Sequence, residues 1–444
     1  VRGAEFEVAF VDMGHTHHHE LAMMIASPAH LLTWTIAALA IAGVIVRPWQ
    51  LPEALWAVIA AVALAVSGLI SWPDVGKAVF KGTDVYLFLT GMMLLAELAR
   101  HEGLFDWLAA FAVKQSKGSA TRLFALIYVV GTIVTIFLSN DATAVVLTPA
   151  VYAATRQAHA KPLPYLFICA FIANAASFVL PISNPANLVV YGARMPSLWT
   201  WLTEFGLASV ASILLTFVVL RLTQSADLAG GISRDIKVPT LSRGGRFAAG
   251  GIVCTAVLLL VASVRDWQLG MPTFLAGLGT AAVVLILNRL SPWEIAKDIS
   301  WSVLPLVAGL FVLVEAVEKT GLLQPLISLL PASATSAPDS TGFLLGSVVA
   351  VLCNVVNNLP MGLIAGTVAN GAHVGPHVTG ALLIGVDLGP NLSVTGSLAT
   401  ILWLVALRRE GQSVSEWRFL GLGCVVMPPA LIASLVTFIW FKLH

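Results

Sequence analysis

Residues 91–105 read GMMLLAELARHEGLF, and residues 309–323 read GLFVLVEAVEKTGLL. The two stretches align without a gap and set Gly91, Glu97 and Gly103 on Gly309, Glu315 and Gly321, 218 residues apart. The same offset carries Ser139-Asn140, in FLSNDATAVVLTP (137–149), onto Asn357-Asn358, in VVNNLPMGLIAGT (355–367). A slightly smaller offset carries LPISNPANLVV (180–190) onto LSVTGSLATIL (392–402). Self-similarity spread over half the chain implies a duplicated unit. The expected organisation is a leader or expression remnant at 1–30, one repeat at 31–222, a linker at 223–245 and a second repeat at 246–444.

Composition says what medium the duplicated unit occupies. Of 444 residues, 58% are hydrophobic and 11% charged, whereas soluble domains carry about 25% charged residues. Apolar runs at 31–46, 51–71, 201–222, 246–264, 271–289 and 418–443 approach or exceed the roughly 20 residues that cross a bilayer. A net charge of +1 says nothing about nucleic acid, and with no basic stripe outside the loops no nucleic-acid partner is expected. Cys169, Cys254, Cys353 and Cys424 stand singly in apolar segments, the pattern of packing thiols rather than of disulfides or a metal site. His15, His17, His18 and His19 lie in the leader and are set aside.

Loop charge gives the orientation of the repeats, because cytoplasmic loops collect Lys and Arg. The loop at 112–122 has Lys114, Lys117 and Arg122, and its counterpart at 331–341 has no basic residue. Arg156 and Lys161 in 155–163 likewise face a neutral 370–380. The bias then reverses: Arg408, Arg409 and Arg418 answer a stretch without Lys or Arg around 195–205. Equivalent loops therefore fall on opposite sides. Two basic loops flank SNDAT, so 123–154 is expected to enter and leave by the cytoplasmic face, with 342–369 doing the reverse. The tips are expected at Ser139-Asn140-Asp141 and at Asn357-Asn358-Leu359-Pro360, with Pro360 and Gly362 breaking the helix. The fold class read from sequence is an all-α polytopic membrane protein of two inverted-topology repeats. It has about ten transmembrane helices, two re-entrant hairpins and broken helices at the midplane, with both termini outside. Trp72, Trp199, Trp201, Trp267, Trp293, Trp301, Trp417 and Trp440 fall near span ends, as interfacial belts require.

Inverted repeats with interrupted helices place a solute site at the breaks, where unwound backbone is tolerated because it lines a cavity. The two tips, together with 182–187 and 394–400, supply Ser139, Asn140, Thr143, Ser183, Asn184, Asn187, Asn357, Asn358, Thr395, Ser397 and Thr400. This set both donates and accepts hydrogen bonds and includes no cation, so it suits a neutral, hydroxyl-rich solute better than a dicarboxylate. Capping of broken helices accounts for any one of these residues equally well; it does not account for a set that recurs in both repeats. An ionised Asp at mid-bilayer costs roughly 2.5–3.5 kcal/mol, and burial disfavours the charged form. Asp141 is accordingly the first candidate for proton coupling and Asp387 the second. Glu97 and Glu315 are expected near span ends, paired with Arg100 and Lys319 on their own helices.

SNDATAVVLTP (139–149), NPANLVV (184–190), NNLPMGLIAGT (357–367) and IGVDLGPNLSVTGSLATILWL (384–404) resemble the ion-transporter superfamily, most of all its ArsB-type arsenite efflux pumps. The last motif is the most specific, and the resemblance extends over the chain from about residue 31. It implies export of arsenite and antimonite across a bacterial inner membrane in exchange for protons. It also implies no cofactor and, in some members, a soluble ATPase partner. Arsenous acid is a small neutral triol near pH 7, which agrees with the uncharged set above. Capture by cysteine is the rival route for soft trivalent arsenic. A sodium/proton antiporter of the same superfamily is the alternative function, and a sodium-coupled organic-anion carrier comes next. An intramembrane enzyme is disfavoured by the lack of a nucleophile–base or metal motif, and a built-in ATPase by the lack of a Walker loop.

Overall fold

A computed structural model describes residues 27–233 and 236–441. Residues 1–26 of the leader, with its four histidines, and Arg234 of the linker lie outside the described residues. The first half forms α1 (Pro28–Val46), α2 (Glu53–Val66), α3 (Trp72–Lys81), α4 (Thr83–His101), α5 (Leu104–Gln115), α6 (Ala120–Phe137), α7 (Thr148–Gln157), α8 (Leu163–Ala175), α9 (Pro185–Tyr191) and α10 (Leu198–Thr223). The second half repeats this order as α11 (Arg243–Val264), α12 (Gly270–Asn288), α13 (Pro292–Ala296), α14 (Val303–Lys319), α15 (Gln324–Ser336), α16 (Pro338–Val356), α17 (Asn358–Gly371), α18 (Pro376–Leu388), α19 (Leu398–Arg409) and α20 (Glu416–Trp440). Among the described residues there is no strand, and each helix has a mate ten places later.

Among the described residues, seven helices are long and apolar enough to cross a membrane: α1, α6, α10, α11, α12, α16 and α20. The protein is a multi-pass membrane protein. Several of the remaining crossings expected from sequence fall on short pieces joined at breaks. One of these is α8, where every residue from Pro164 to Ala175 is buried. A helix apolar on all sides belongs in a core, and here the core comprises the broken spans.

The described chain divides into two compact units, 27–81 with 302–329, and 82–301 with 330–441. In the first, α14 packs on α1, α2 and α3; in the second, α4 packs on α11, α12 and α13. The fourth helix of each half thus joins the first three of the other. Glycine makes both contacts possible. A Cβ on Gly309 of α14 would lie 2.8 Å from the Ala57 carbonyl carbon on α2, and one on Gly91 of α4 would lie 2.3 Å from the Thr273 carbonyl oxygen on α12. The Gly91/Gly309 match seen in the sequence therefore records a close helix crossing used twice.

Two sequence expectations need correction. Glu97 does pair with Arg100 on its own helix, and Arg100 also reaches Asp298. Glu315, however, pairs with Lys81, while Lys319 pairs with Asp74 at 2.9 Å. Helical spacing permits a local pair but cannot see a partner brought in by packing. Trp201 is no belt residue: it is fully buried, its indole N–H donating to the Phe178 carbonyl at 3.0 Å. An indole needs a buried acceptor to leave the interface, and a break in the backbone supplied one. The linker also does more than join the halves. The Ile232 and Ser233 N–H groups donate to the Gly118 and Ala158 carbonyls, and Asp227 pairs with Lys161. These contacts fasten it to both ends of the α6–α7 hairpin.

Candidate transport site

Each hairpin turns at a residue whose side chain caps the second arm. α6 ends at Phe137, and Ser139 Oγ accepts the Ala142 N–H at 3.2 Å. Asn140 and Asp141 are already helical and lead into a π-helical turn, Ala142–Leu147. Thr143 in that turn bonds to Thr135 of the first arm, hydroxyl to hydroxyl, at 2.8 Å. The second hairpin turns at Asn357, whose Oδ1 accepts the Leu359 N–H at 3.4 Å. Here the expected position of the break is corrected. Asn358, Leu359, Pro360 and Gly362 all lie inside α17, because proline is tolerated in a first turn where its missing N–H would be unpaired anyway.

Asn357 itself makes the break, at φ 76° and ψ 151°, a region that is essentially glycine's own and costs of order 1–3 kcal/mol for other residues. The Asn357 side chain holds it there, its Nδ2 donating to the Thr395 carbonyl at 3.2 Å. Thr395 Oγ1 donates to the Asn354 carbonyl, Ser393 Oγ to Asn354 Oδ1, and Asn354 Nδ2 to the Gly389 carbonyl. Asn357→Ala is expected to lower the melting temperature in detergent more than Asn357→Gly. Both lose the cap, worth about 1 kcal/mol, but only glycine adopts the dihedral freely.

The broken spans use the same device. Asn184 caps α9, its Oδ1 accepting the Ala186 N–H at 3.0 Å, and Ser397 caps α19, its Oγ accepting the Thr400 N–H at 3.1 Å. Both residues are extended, at φ −148° and −142°. They are 213 residues apart, and so are the single 3₁₀ turns that precede them, Pro181–Ser183 and Val394–Gly396. The offset read from sequence for this region was one residue short. Runs of Ser, Thr and Asn align almost as well either way, whereas the cap position has one solution.

The first break meets the second half at Asp387, which is fully buried on α18. Its Oδ1 accepts from Asn184 Nδ2 at 2.7 Å, a bond between the two halves; the Ser177 hydroxyl also lies beside the carboxylate, and among the described residues Oδ2 makes no hydrogen bond. Asn187, also fully buried, donates from Nδ2 to the Ser177, Leu180 and Pro181 carbonyls, leaving Oδ1 without a donor. Ser183 ties this break to the first hairpin, donating to the Ile136 carbonyl at 3.0 Å. Ser397 and Thr400 bond to each other at 2.6 Å, and Ser397 reaches Asn174 Oδ1 at 3.5 Å.

Ser183, Asn184, Asn187, Asp387, Ser397 and Thr400 thus share one buried network, to which Asn357 and Thr395 attach through the second break. Ser139, Asn140 and Asn358 are buried and Asp141 half-buried. Among the described residues no side-chain hydrogen bond joins Ser139, Asn140 or Asp141 to the second half, although the π turn packs against α19. Sequence reasoning missed Asn174, Asn354 and Asn391. Asn174 donates to Asn391 Oδ1 at 3.0 Å, and Asn391 donates to the Phe171 carbonyl at 3.1 Å. The corrected offset was the signal for Asn174, which lies 213 residues before Asp387. Cys169 and Cys353 are buried, Cys254 and Cys424 exposed, and no cluster of three metal-ligating side chains occurs among the described residues.

This arrangement of paired hairpins and capped half-helices belongs to transporters. The citrate transporter family model, CitMHS, matches residues 24–386. The chain belongs to that family. It is 26% identical over 422 residues to an arsenical pump membrane protein of Escherichia coli, covering 91% of this chain and 97% of that one. It is 27% identical over 373 residues to an uncharacterized transporter of Mycobacterium tuberculosis, covering 81% and 86%. The Alcanivorax borkumensis YdaH transporter, described as having an unusual topology, superposes with a TM-score of 0.56 at 16% identity over 82% of this chain and 86% of its own. That likeness concerns the fold. The resemblance to ArsB-type pumps read from the motifs is borne out by the arsenical pump relatives, and the protein is a membrane transporter.

Proposed function

We propose that this transporter exports arsenite and antimonite from the cytoplasm in exchange for protons, by alternating access across a bacterial inner membrane. The observation that carries this reading is the pair of buried acceptors that make no hydrogen bond among the described residues, Asp387 Oδ2 and Asn187 Oδ1. A buried acceptor left unmet costs roughly 1–3 kcal/mol, so the site favours a solute that brings O–H groups. Arsenous acid brings three and has no charge to desolvate. Citrate, the solute in the family's name, is an anion that would want Arg or Lys beside it, and none stands among the residues of the breaks. The arsenical pump relatives support the same choice.

The re-entrant paths of α6–α7 and α16–α17 follow from the flanking loop charges, and the linker contacts to the feet of the first hairpin are consistent with a cytoplasmic side there. Asp387 is the better supported proton carrier, being fully buried between the halves with one oxygen that makes no hydrogen bond among the described residues; Asp141, half-buried at the first tip, is the second. Ser139, Asn140, Thr143 and Asn358 complete the pocket on the hairpin side. A soluble ATPase partner remains an expectation of the resemblance alone.

Growth on arsenite of cells lacking their own exporter, with and without this chain, tests the proposal; unchanged sensitivity would remove arsenite as the solute. Replacing all four cysteines by alanine is expected to leave resistance largely intact, since the two buried thiols sit on separate helices and donate to different carbonyls, Tyr165 and Val386. Two open acceptors also suit a sodium ion, which makes sodium/proton exchange the second reading. Recovery of a pH-sensitive dye in everted vesicles, on adding arsenite or sodium, separates the two.

A further inference from the structure

The 213-residue offset sets Asp387 on Asn174, and Asn184 on Ser397. The bond from Asn184 Nδ2 to Asp387 Oδ1, at 2.7 Å, therefore has a mate within the fold, from Ser397 Oγ to Asn174 Oδ1 at 3.5 Å. Both acceptors stand one residue before the end of equivalent 13-residue helices, and both are fully buried. The two half-sites differ in what the acceptor can do. Asp387 is a carboxylate whose Oδ2 makes no hydrogen bond among the described residues, with the Ser177 hydroxyl beside it, whereas Asn174 is a carboxamide engaged at both ends. Its Nδ2 donates to Asn391 Oδ1, and Asn391 in turn donates to the Phe171 carbonyl. The residue equivalent to Asn391 in the first half is Phe178, so this clamp has no counterpart around Asp387.

We infer that Asn174 is a positioning residue that keeps one of two equivalent half-sites permanently neutral, so that the shared pocket carries a single exchangeable proton, on Asp387. The inference rests on the proton-coupled reading and adds to it how many acidic half-sites operate and what neutralises the other. Two carboxylates at repeat-related positions of one pocket would oppose each other's ionisation. An amide donates to Asn391 in every protonation state and holds Ser397 at the second break without taking part in exchange.

Other ionisable groups near these positions are few. α18 is packed by α8, α9, α16, α17 and α20. Their buried or half-buried ionisable side chains are Tyr165, Cys169, Tyr191, Asp339 and Cys353, and the Cys353 thiol donates to the carbonyl of Val386, the residue before Asp387. α8 is packed further by α6, α7, α10, α19 and the π turn, which bring Tyr128, Tyr152, Glu204 and Asp141.

The test uses the full chain in lipid vesicles as wild type, Asp387→Asn, Asn174→Asp and the double variant. Two readouts are taken: tryptophan emission against pH with no arsenite present, and arsenite export against pH. Trp403, buried on α19 beside the second break, serves as reporter. The expected emission titration has one step in wild type, none in Asp387→Asn and two in Asn174→Asp. In the double variant one step and some pH-dependent export return, since repeat symmetry moves the acid to the other half-site. An Asn174→Asp titration identical to wild type would overturn the inference. So would a flat double variant, which moves the carboxylate without adding a second and so serves even if Asn174→Asp alone does not fold. Wild-type vesicles that move no arsenite at any pH would remove the export reading, while the substrate-free emission steps would still decide this one.

Discussion

Everted vesicles carrying Asp387→Asn will equilibrate arsenite but will not concentrate it. Asparagine has nearly the shape of the carboxyl group and still offers an oxygen to Asn184 Nδ2, so the 2.7 Å bond between the halves survives. The fold should lose no more than the roughly 1 kcal/mol of one hydrogen bond. On the proposed coupling, what disappears is the group that takes and releases a proton. Each proton entering down the membrane potential supplies about 2.3 kcal/mol per 100 mV, equivalent to a roughly 50-fold concentration ratio at 1.36 kcal/mol per decade. The variant's accumulation ratio should fall to unity and lose its dependence on pH, with melting temperature and counterflow close to wild type. Accumulation that stays normal in Asp387→Asn and collapses in Asp141→Asn would transfer the role to the hairpin tip.

Gly385→Val will cost the fold itself. α16 and α18 approach along small residues spaced by four, Gly346 and Ala350 against Ala381, Gly385 and Gly389, the close packing that helices in lipid rely on. A Cβ on Gly385 would stand 2.2 Å from the Gly346 carbonyl oxygen, and backbone on both sides leaves nothing flexible to yield. Overpacking of this kind costs about 1–3 kcal/mol and occasionally more. The displaced helices carry the second hairpin on one side and Asp387, two residues further on, on the other. Both the yield of monodisperse protein and residual export should drop sharply. Gly421→Ala, on α20 with nothing within 4 Å of the new methyl, is the matched control and should behave as wild type. A well-folded, active Gly385→Val would mean that α16 and α18 are further apart than described.

Much of this molecule was legible before any coordinates. The apolar runs at 246–264 and 271–289 became Arg243–Val264 and Gly270–Asn288, because in lipid the length of an apolar run and the length of a helix are set by the same bilayer. The tips at Ser139 and Asn357 were legible for a local reason: a helix start exposes N–H groups that a short polar side chain must meet. The break at 394–400 was located but its register was not, since neighbouring Ser and Thr residues are interchangeable until one of them is seen to cap. Asn174 escaped notice as a lone amide in an apolar helix, which reads as packing until its partner 217 residues away is known.

The sequence by itself determined that the chain lives in a membrane, that it is a duplicated unit, and in which segments its helices break. These follow from hydropathy, self-similarity and the unpaired groups at helix ends, all properties of a residue and its near neighbours. Only the tertiary structure decided that the fourth helices are exchanged between the halves, that Trp201 is interior, that Glu315 answers to Lys81, and that Asp387 and Asn174 are the same position used differently. Each of those depends on which distant surfaces meet, and close packing between helices selects among partners that local spacing leaves equivalent.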